Sequence, residues 1–553
     1  MIRIQKSFTP GGFRDNQLQT WAWEHFESFE KLPNLGIQAD LFPIIQQNIA
    51  FFTPEKRAIL RDVLTKQYEH LGSESISLEV QENLNVLLNS NSVTVVTGQQ
   101  IHPLLGPVFV WNKIVSTIQT AREINKKYPD YTAVPVFWMA TEDHDFEEIA
   151  RIPFLNKEYV WEYPLSKQGV PVGQLPTSGI VSIINQMQSD FAHELAWVDF
   201  LEGCKMHYLK FTNLADATRS LVNEWFGDSG LLVLDPMDSE LKKLGSSVFQ
   251  GETNGKNFDL FESQSQELKS LQIQPSVHHR NTHLFYFENA DENSDAHEKS
   301  SSQLYKIRRR IDFKEDRFTA LDSIKSWSKE QFIEELQAHP ERFSPNVILR
   351  PAYQQALLPN VVYVAGPAEF RYWMQVPSVI SSNGLAVPRL QLRLSSALMT
   401  AATQKKMDQI GISQEELFLS ESALVKIISD SFENEFQLDQ AIEQLNQQME
   451  GVRSQLHSIG YPSLKEVKKE QEEMIKRLRQ ASKSYKAGEW GENELSRKLT
   501  KLSQLKNAGF DSSKPWERST FIFELMLKFG FRWDINSLPL DGIDEFIWFF
   551  DEK

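Results

Sequence analysis

The sequence predicts an α/β protein built on a parallel sheet, followed by an antiparallel helical coiled-coil hairpin. Three observations predict it. The first is a strand–helix–strand succession. Val93–Val96 is a β-branched run, an apolar-periodic stretch extends from about Pro107 to Lys127, and Val134–Ala140 is an apolar run too short for an ordinary helix. Strands joined through a crossover helix pair in parallel. The second is repetition. Gly230–Pro236 reads as a strand followed by a helical Ser239–Phe249, and Val361–Ala365 reads as a strand that stops at Gly366-Pro367 before helix signals over Ala368–Gln375. The third is a heptad seam: Leu438, Ile442, Leu445, Met449, Val452, Leu456 and Ile459 alternate in steps of four and three. Gly460-Tyr461-Pro462 stops that helix, since Gly releases it and Pro only opens the next. A second seam follows through Leu464, Val467, Gln471, Met474, Leu478, Ala481 and Tyr485. It resumes after Gly488 and Gly491 at Leu495, Leu499 and Leu502.

A chain of 553 residues exceeds one core, which stops growing at about 250–300 residues. The expected division is a core over 1–415 with N-terminal helices and an insertion around 250–345, a hairpin over 416–510, and a C-terminal segment over 511–553 that packs back on the core. Residues 1–90 read as helical, as in Pro54–Leu71 and Ser77–Leu88, and the acidic, Ser-rich Asn289–Ser302 reads as an exposed loop. The net charge of −16 argues against nucleic acid as the main partner. Cys204 is the single cysteine, so no disulfide forms within the chain; its neighbours match no nucleophile motif, and it reads as a structural thiol. The start, Met-Ile-Arg-Ile-Gln-Lys, lacks a signal-peptide core, and there is no apolar run of about 18 residues. A cytoplasmic protein without a membrane span is therefore expected.

In open α/β sheets, ligands bind beyond the carboxyl ends of the strands. Three motifs fall there. Thr97, Gly98, Gln99 and Gln100 follow the first strand, with Gly106-Pro107 and Lys113 beyond. Glycine admits a phosphate close to the backbone, and a helix start donates N–H groups to it. This is neither a Walker A loop nor a dinucleotide fingerprint, and an ordinary turn is the competing reading. The second motif is Thr141-Glu142-Asp143-His144-Asp145-Phe146-Glu147-Glu148. Unpaired charges are costly in a core, so this block belongs at a site or at a solvated helix start. Adjacent residues converge poorly on one ion, and no metal is expected. The third is Arg350 and Gln354, then Gly366, Pro367, Glu369 and Tyr372, with Arg389 and Arg393 farther on. Arg350 suits a carboxylate or phosphate, against the alternative of a turn with a surface ion pair.

At these residues the sequence resembles the cysteine-adding family of bacillithiol synthesis. Val96–Gln100 with Gly106-Pro107 and Lys113 is similar to the family's opening signature. Val134–Ile149 looks like its most distinctive block, and Leu349-Arg350-Pro351 through Leu357-Leu358-Pro359 with Tyr363–Glu369 is similar to a third. The resemblance covers nearly the whole chain. It implies a Rossmann-like core related to class I nucleotidyl transferases, with inserted connecting segments and a coiled-coil domain that supports homodimers. It also implies ligation of L-cysteine to the amino group of glucosaminyl malate, an amide formation driven by ATP with Mg²⁺. On that reading Thr97, Gly98, Gln99, Gln100 and Lys113 bind the nucleotide. Glu142, Arg350, Gln354, Gly366, Pro367, Glu369 and Tyr372 bind substrate. Asp143, His144 and Asp145 are catalytic, with His144, whose unperturbed pKa is near ~6.5, accepting a proton from the amine. Two positions depart from the family pattern. Ile101–Leu105 stands where a glycine-containing turn is expected, and Asn112 stands where a histidine is expected. The rival functions are a nucleotide-binding coiled-coil scaffold without turnover, and a nucleotidyl transferase or ligase for another substrate.

Overall fold

The computed structural model describes residues 2–8, 40–72, 76–155, 157–162, 169–271, 273–278, 280–289, 305–435, 438–486, 491–510, 515–529 and 545–551. Among these, the chain forms two compact units, divided after Leu398 and rejoined at Glu517. The second unit starts at Met399 rather than at 416, because helix Ala401–Ile410 packs on helix Gly491–Leu505.

The first unit is organised by five parallel strands: β1 (Ser92–Gln99), β2 (Thr132–Met139), β3 (Leu232–Leu234), β4 (Asn360–Ala365) and β5 (Arg389–Leu392). Their order across the sheet is β3-β2-β1-β4-β5, and every neighbouring pair is parallel. Val96 pairs with Val136 on one side and Tyr363 on the other. Both faces are covered, so the strands are apolar at consecutive positions rather than alternating. Val93, Val95, Val362 and Val364 are buried against Ile44, Ile45, Ala121 and Ile124. Three helices matter for the site: α1 (Val108–Lys127), α2 (Arg350–Leu357) and α3 (Pro367–Trp373). The chain runs outward from β1 to β2 and β3, then returns to the far side of β1 for β4 and β5. Such a reversal opens a crevice beyond the carboxyl ends of β1 and β4.

Two regions differ from the sequence reading. Ile2–Phe8, expected to be helical, is a strand antiparallel to Glu545–Asp551. The region expected as an insertion has a sheet of its own, five antiparallel strands ordered Ser326–Ser328, Arg317–Ala320, Lys306–Lys314, Leu284–Asn289 and Phe343–Pro345. The acidic stretch read as a loop lies, from residue 290, outside the described residues.

In the second unit, helices Leu438–Ser458 and Leu464–Lys486 form the hairpin around Gly460, whose φ of 69° favours glycine. Gln471 Nε2 donates to Asn446 Oδ1 at 3.0 Å across the pair. Ile442 is buried and Leu445, Met449 and Leu456 are half-buried, while Val452, Ile459 and Met474 are exposed. No helix among the described residues is long and apolar enough to cross a membrane.

Candidate active site

Gly98 closes β1 and Gly366 follows β4, so both flank the switch point, and a cleft of about 1240 Å³ opens there. Lys113, in the second turn of α1, is buried beneath it. Its Nζ donates to Gly98 O at 2.6 Å and Gln99 Oε1 at 2.8 Å and pairs with Glu369. Desolvation pulls the ammonium down to about 8, against the opposing pull of Glu369. Glu369, in the first turn of α3, also accepts from Gly366 N at 2.8 Å and Tyr363 Oη at 3.0 Å. Arg350 opens α2. It donates to Gln354 Oε1 at 3.1 Å, Tyr363 Oη at 3.2 Å and Tyr372 Oη at 3.1 Å. A Cβ on Gly98 would stand 3.3 Å from Tyr363 Oη and 3.5 Å from Arg350 Nη1, so glycine keeps that approach open. Beyond β5, Arg393 forms a bidentate pair with Glu517 at 2.5 and 3.0 Å. Glu517 also accepts from Asn112 Nδ2 at 2.8 Å, which gives a use to the asparagine standing where a histidine was expected.

The loop after β2 forms the opposite wall. Glu142 pairs with Lys242 and accepts from Ser344 Oγ at 2.7 Å. Asp143 accepts from Gln100 Nε2 at 2.6 Å, from His144 N at 2.8 Å and from Arg308 Nη1 at 3.2 Å. Arg308 comes from strand Lys306–Lys314 of the inserted sheet. Its guanidinium lies 3.8 Å over the Phe285 ring and donates to Ser344 Oγ at 3.0 Å and Pro345 O at 2.8 Å. The same guanidinium sits 3.3 Å from His144 Nδ1. A guanidinium only donates, so Nδ1 accepts and the neutral imidazole carries its proton on Nε2. Burial lowers the His144 pKa, Arg308 lowers it further, and Asp143 and Asp145 oppose the change; the ring is therefore neutral at pH 7. Glu148 keeps contact with solvent in the open cleft, yet its carboxyl is pushed up to about 7, first by desolvation and then by Asp143 and Asp145.

Of the residues singled out by sequence, Gly98, Gln99, Gln100, Lys113, Glu142, Asp143, His144, Arg350, Gly366, Glu369 and Tyr372 line this one cleft. Four do not. Thr97 is buried, and its Oγ1 donates to Val364 O at 2.8 Å; it ties β1 to β4 and does not line the cleft. Gln354 is buried behind Arg350, Pro367 is buried at the start of α3, and Asp145 is exposed outside the wall. Arg389 lies at the amino end of β5, away from the crevice, whereas Arg393 just past its carboxyl end lines the cleft. Sequence reasoning missed Arg280, Arg308, Arg309, Arg310 and Arg518, which also line it, and gave no role to Glu148 at the end of the acidic block, which lines it too. The available signal was Arg308-Arg309-Arg310, a basic run in a strand of an acidic chain. Beside α1, Leu104 and Leu105 adopt φ of 53° and 65° next to Gly106 at 73°. These are positions where the family pattern led to an expected glycine, and the strain is held by burial and by Tyr208 Oη, which accepts from Leu104 N at 2.8 Å.

A sheet of this order with a charged cleft at its switch point, joined to a helical hairpin, defines a Rossmann-like protein with a coiled-coil domain. Residues 43–394 match the family model described as bacillithiol biosynthesis BshC, N-terminal Rossmann-like domain, and residues 397–538 match the BshC C-terminal coiled-coil domain. The chain belongs to the bacillithiol biosynthesis BshC family. It is 32% identical over 522 residues to a Flavobacterium psychrophilum protein, covering 91% of each chain. It is 31% identical over 521 residues to one from Christiangramia forsetii, covering 91% of this chain and 89% of the relative. A Flavobacterium johnsoniae relative is 34% identical over 386 residues, 70% of this chain and 68% of that one. All three bear the name "Putative cysteine ligase BshC".

Proposed function

We propose that the protein is a cysteine ligase of bacillithiol biosynthesis, acting in the cytoplasm. It joins the carboxyl group of L-cysteine to the free amine of glucosaminyl malate, with ATP and Mg²⁺ activating the carboxylate. The observation that carries this reading is the charge distribution of the cleft. Lys113, Arg350, Arg393 and Arg518 gather around the ends of β1, β4 and β5, while carboxylates and a neutral imidazole stand on the loop after β2. Cations around Gly98, at the end of β1, suit the phosphates of a nucleotide. Neutral or weakly acidic groups opposite suit transfer of an amine proton. The names of the relatives support cysteine as one substrate. Purified protein mixed with ATP, Mg²⁺, L-cysteine and glucosaminyl malate is expected to form the amide. Nucleotide consumption should require both other substrates. Nucleotide binding without turnover under these conditions would favour the scaffold instead.

The exposed Val452, Ile459 and Met474 continue the seam of the hairpin, and in this reading a second copy of the chain covers them, giving a homodimer. Light scattering is expected to give twice the 63.9 kDa chain mass at micromolar concentration. Leu445→Asp, which places a carboxylate in the seam, is expected to give the monomer mass or a melted hairpin. A monomeric wild type would end this part of the reading.

A further inference from the structure

We propose that Glu148, and not His144, takes the proton of the attacking amine, and that His144 instead donates a hydrogen bond from Nε2 to the reacting carbonyl oxygen. This rests on the amide-forming reading above. His144 Nδ1 has a single lone pair, and Arg308 Nη1 points an N–H at it from 3.3 Å. Arg308 does not swing away readily, since Ser344, Pro345, Asp143 and the Phe285 ring hold it. Neutral His144 is thus fixed as a donor at its remaining nitrogen. A donor stabilises the oxygen that gains charge during acyl transfer, but it cannot accept the amine proton.

The loop after β2 puts three carboxylates into the cleft. Glu142 is occupied by Lys242 and Ser344, and Asp143 by Gln100, Arg308 and the His144 amide. Glu148, in the short turn Phe146–Glu148, has no hydrogen bond or ion pair among the described residues. Charged groups face it from every side: Asp143 and Asp145 on its own loop, Lys113 from α1, Glu369 from α3, and Arg518 from the segment after Glu517. Desolvation and the acids outweigh the cations, which leaves the carboxyl with a pKa of about 7, where a group serves best as a proton acceptor at neutral pH.

The step balances. The amine nitrogen bonds to the activated carbonyl carbon, and the carbonyl π pair moves to oxygen, facing His144 Nε2–H. One N–H proton passes to the Glu148 carboxylate. The oxygen pair returns, and the bond to the phosphate-bearing leaving group breaks with its electrons. Protonated Glu148 then releases its proton to solvent.

Initial rates of amide formation with ATP, Mg²⁺, L-cysteine and glucosaminyl malate, taken from pH 5.5 to 9, test this on four full-length proteins. Glu148→Gln is expected to lose on the order of 10²–10⁴ in kcat with little change in KM, and to lose the limb of its pH profile near 7. His144→Gln, which keeps an N–H, is expected to stay within about tenfold of wild type, while His144→Ala falls well below it. The melting temperature gives an independent reading. Because folding raises this carboxyl's pKa, Glu148 weakens the folded state as pH rises from about 4.5 to 7. Glu148→Gln should therefore gain stability at pH 8 relative to wild type, and not at pH 4. A Glu148→Gln enzyme with wild-type rate and pH profile would overturn the proposal, as would His144→Gln failing as completely as His144→Ala. A wild type that forms no amide would overturn the ligase reading itself, and this assignment with it.

Discussion

Arg308→Ala is expected to lower kcat/KM by about 10²-fold or more while the protein still folds. Arg308 touches both the loop after β2 and the end of the inserted sheet through one rigid fork. It spans Asp143, His144, Ser344 and Pro345 O at 3.2, 3.3, 3.0 and 2.8 Å. Removing it frees the imidazole to adopt either tautomer and lets the loop drift. A displacement of about 1 Å suffices for a loss of this size. The stability cost should be modest, about 1–3 kcal/mol, because Asp143 keeps Gln100 and Ser344 keeps Glu142. Arg308→Lys is the more telling variant. One ammonium on a flexible stem cannot serve four acceptors in different directions, so it should recover the charge without the activity. Steady-state kinetics with a melting curve read both effects. Wild-type kcat/KM for Arg308→Lys would show that the fork is structural only.

The parallel sheet was legible because its strands are buried on both faces and end in glycine or in a polar block, a pattern that needs no tertiary information. The same is true of Gly98, Lys113, Asp143, His144, Arg350 and Glu369, which all follow a strand within one or a few helical turns and which the fold brings to one cleft. Thr97 was misread because a threonine before a turn looks alike whether its hydroxyl faces a ligand or, as here, a neighbouring strand's carbonyl. Arg308 was missed, and Glu148 was left without a role in its block, for different reasons. Arg308 reaches the cleft from a sheet whose placement depends on long-range packing; Arg308 and Arg310 share a face of their strand, yet Arg308 is buried and Arg310 exposed, a difference that alternation does not report. Glu148 acquires its character first from loss of water and then from Asp143 and Asp145; the acids show in the sequence, but the desolvation does not. Ile2–Phe8 pairs with Glu545–Asp551, a contact between opposite ends of the chain that no local periodicity reports.

Lys113→Ala is expected to weaken ATP–Mg²⁺ binding at least tenfold and to destabilise the fold by about 3–5 kcal/mol. Both effects come from one arrangement. The Nζ of Lys113 joins the end of β1, through Gly98 O and Gln99 Oε1, to Glu369 at the start of α3. Without it the half-buried Glu369 carboxylate keeps, among the described residues, the hydrogen bonds from Gly366 N and Tyr363 Oη, and the crevice loses a cation beside its glycine. These losses separate in a double variant. Lys113→Met fills most of the same volume, and Glu369→Gln removes the charge that would be left unpaired. The pair Lys113→Met/Glu369→Gln should therefore regain much of the stability, since replacing both members of a buried ion pair costs far less than removing one. It should not regain affinity, because no positive charge returns to the phosphate side of the cleft. Calorimetric titration with ATP and Mg²⁺, beside thermal melts of the two single variants and the double, separates the two roles. Equal ATP affinity in wild type and Lys113→Ala would confine Lys113 to holding β1 against α3, and the nucleotide would then depend on Arg350, Arg393 and Arg518 alone.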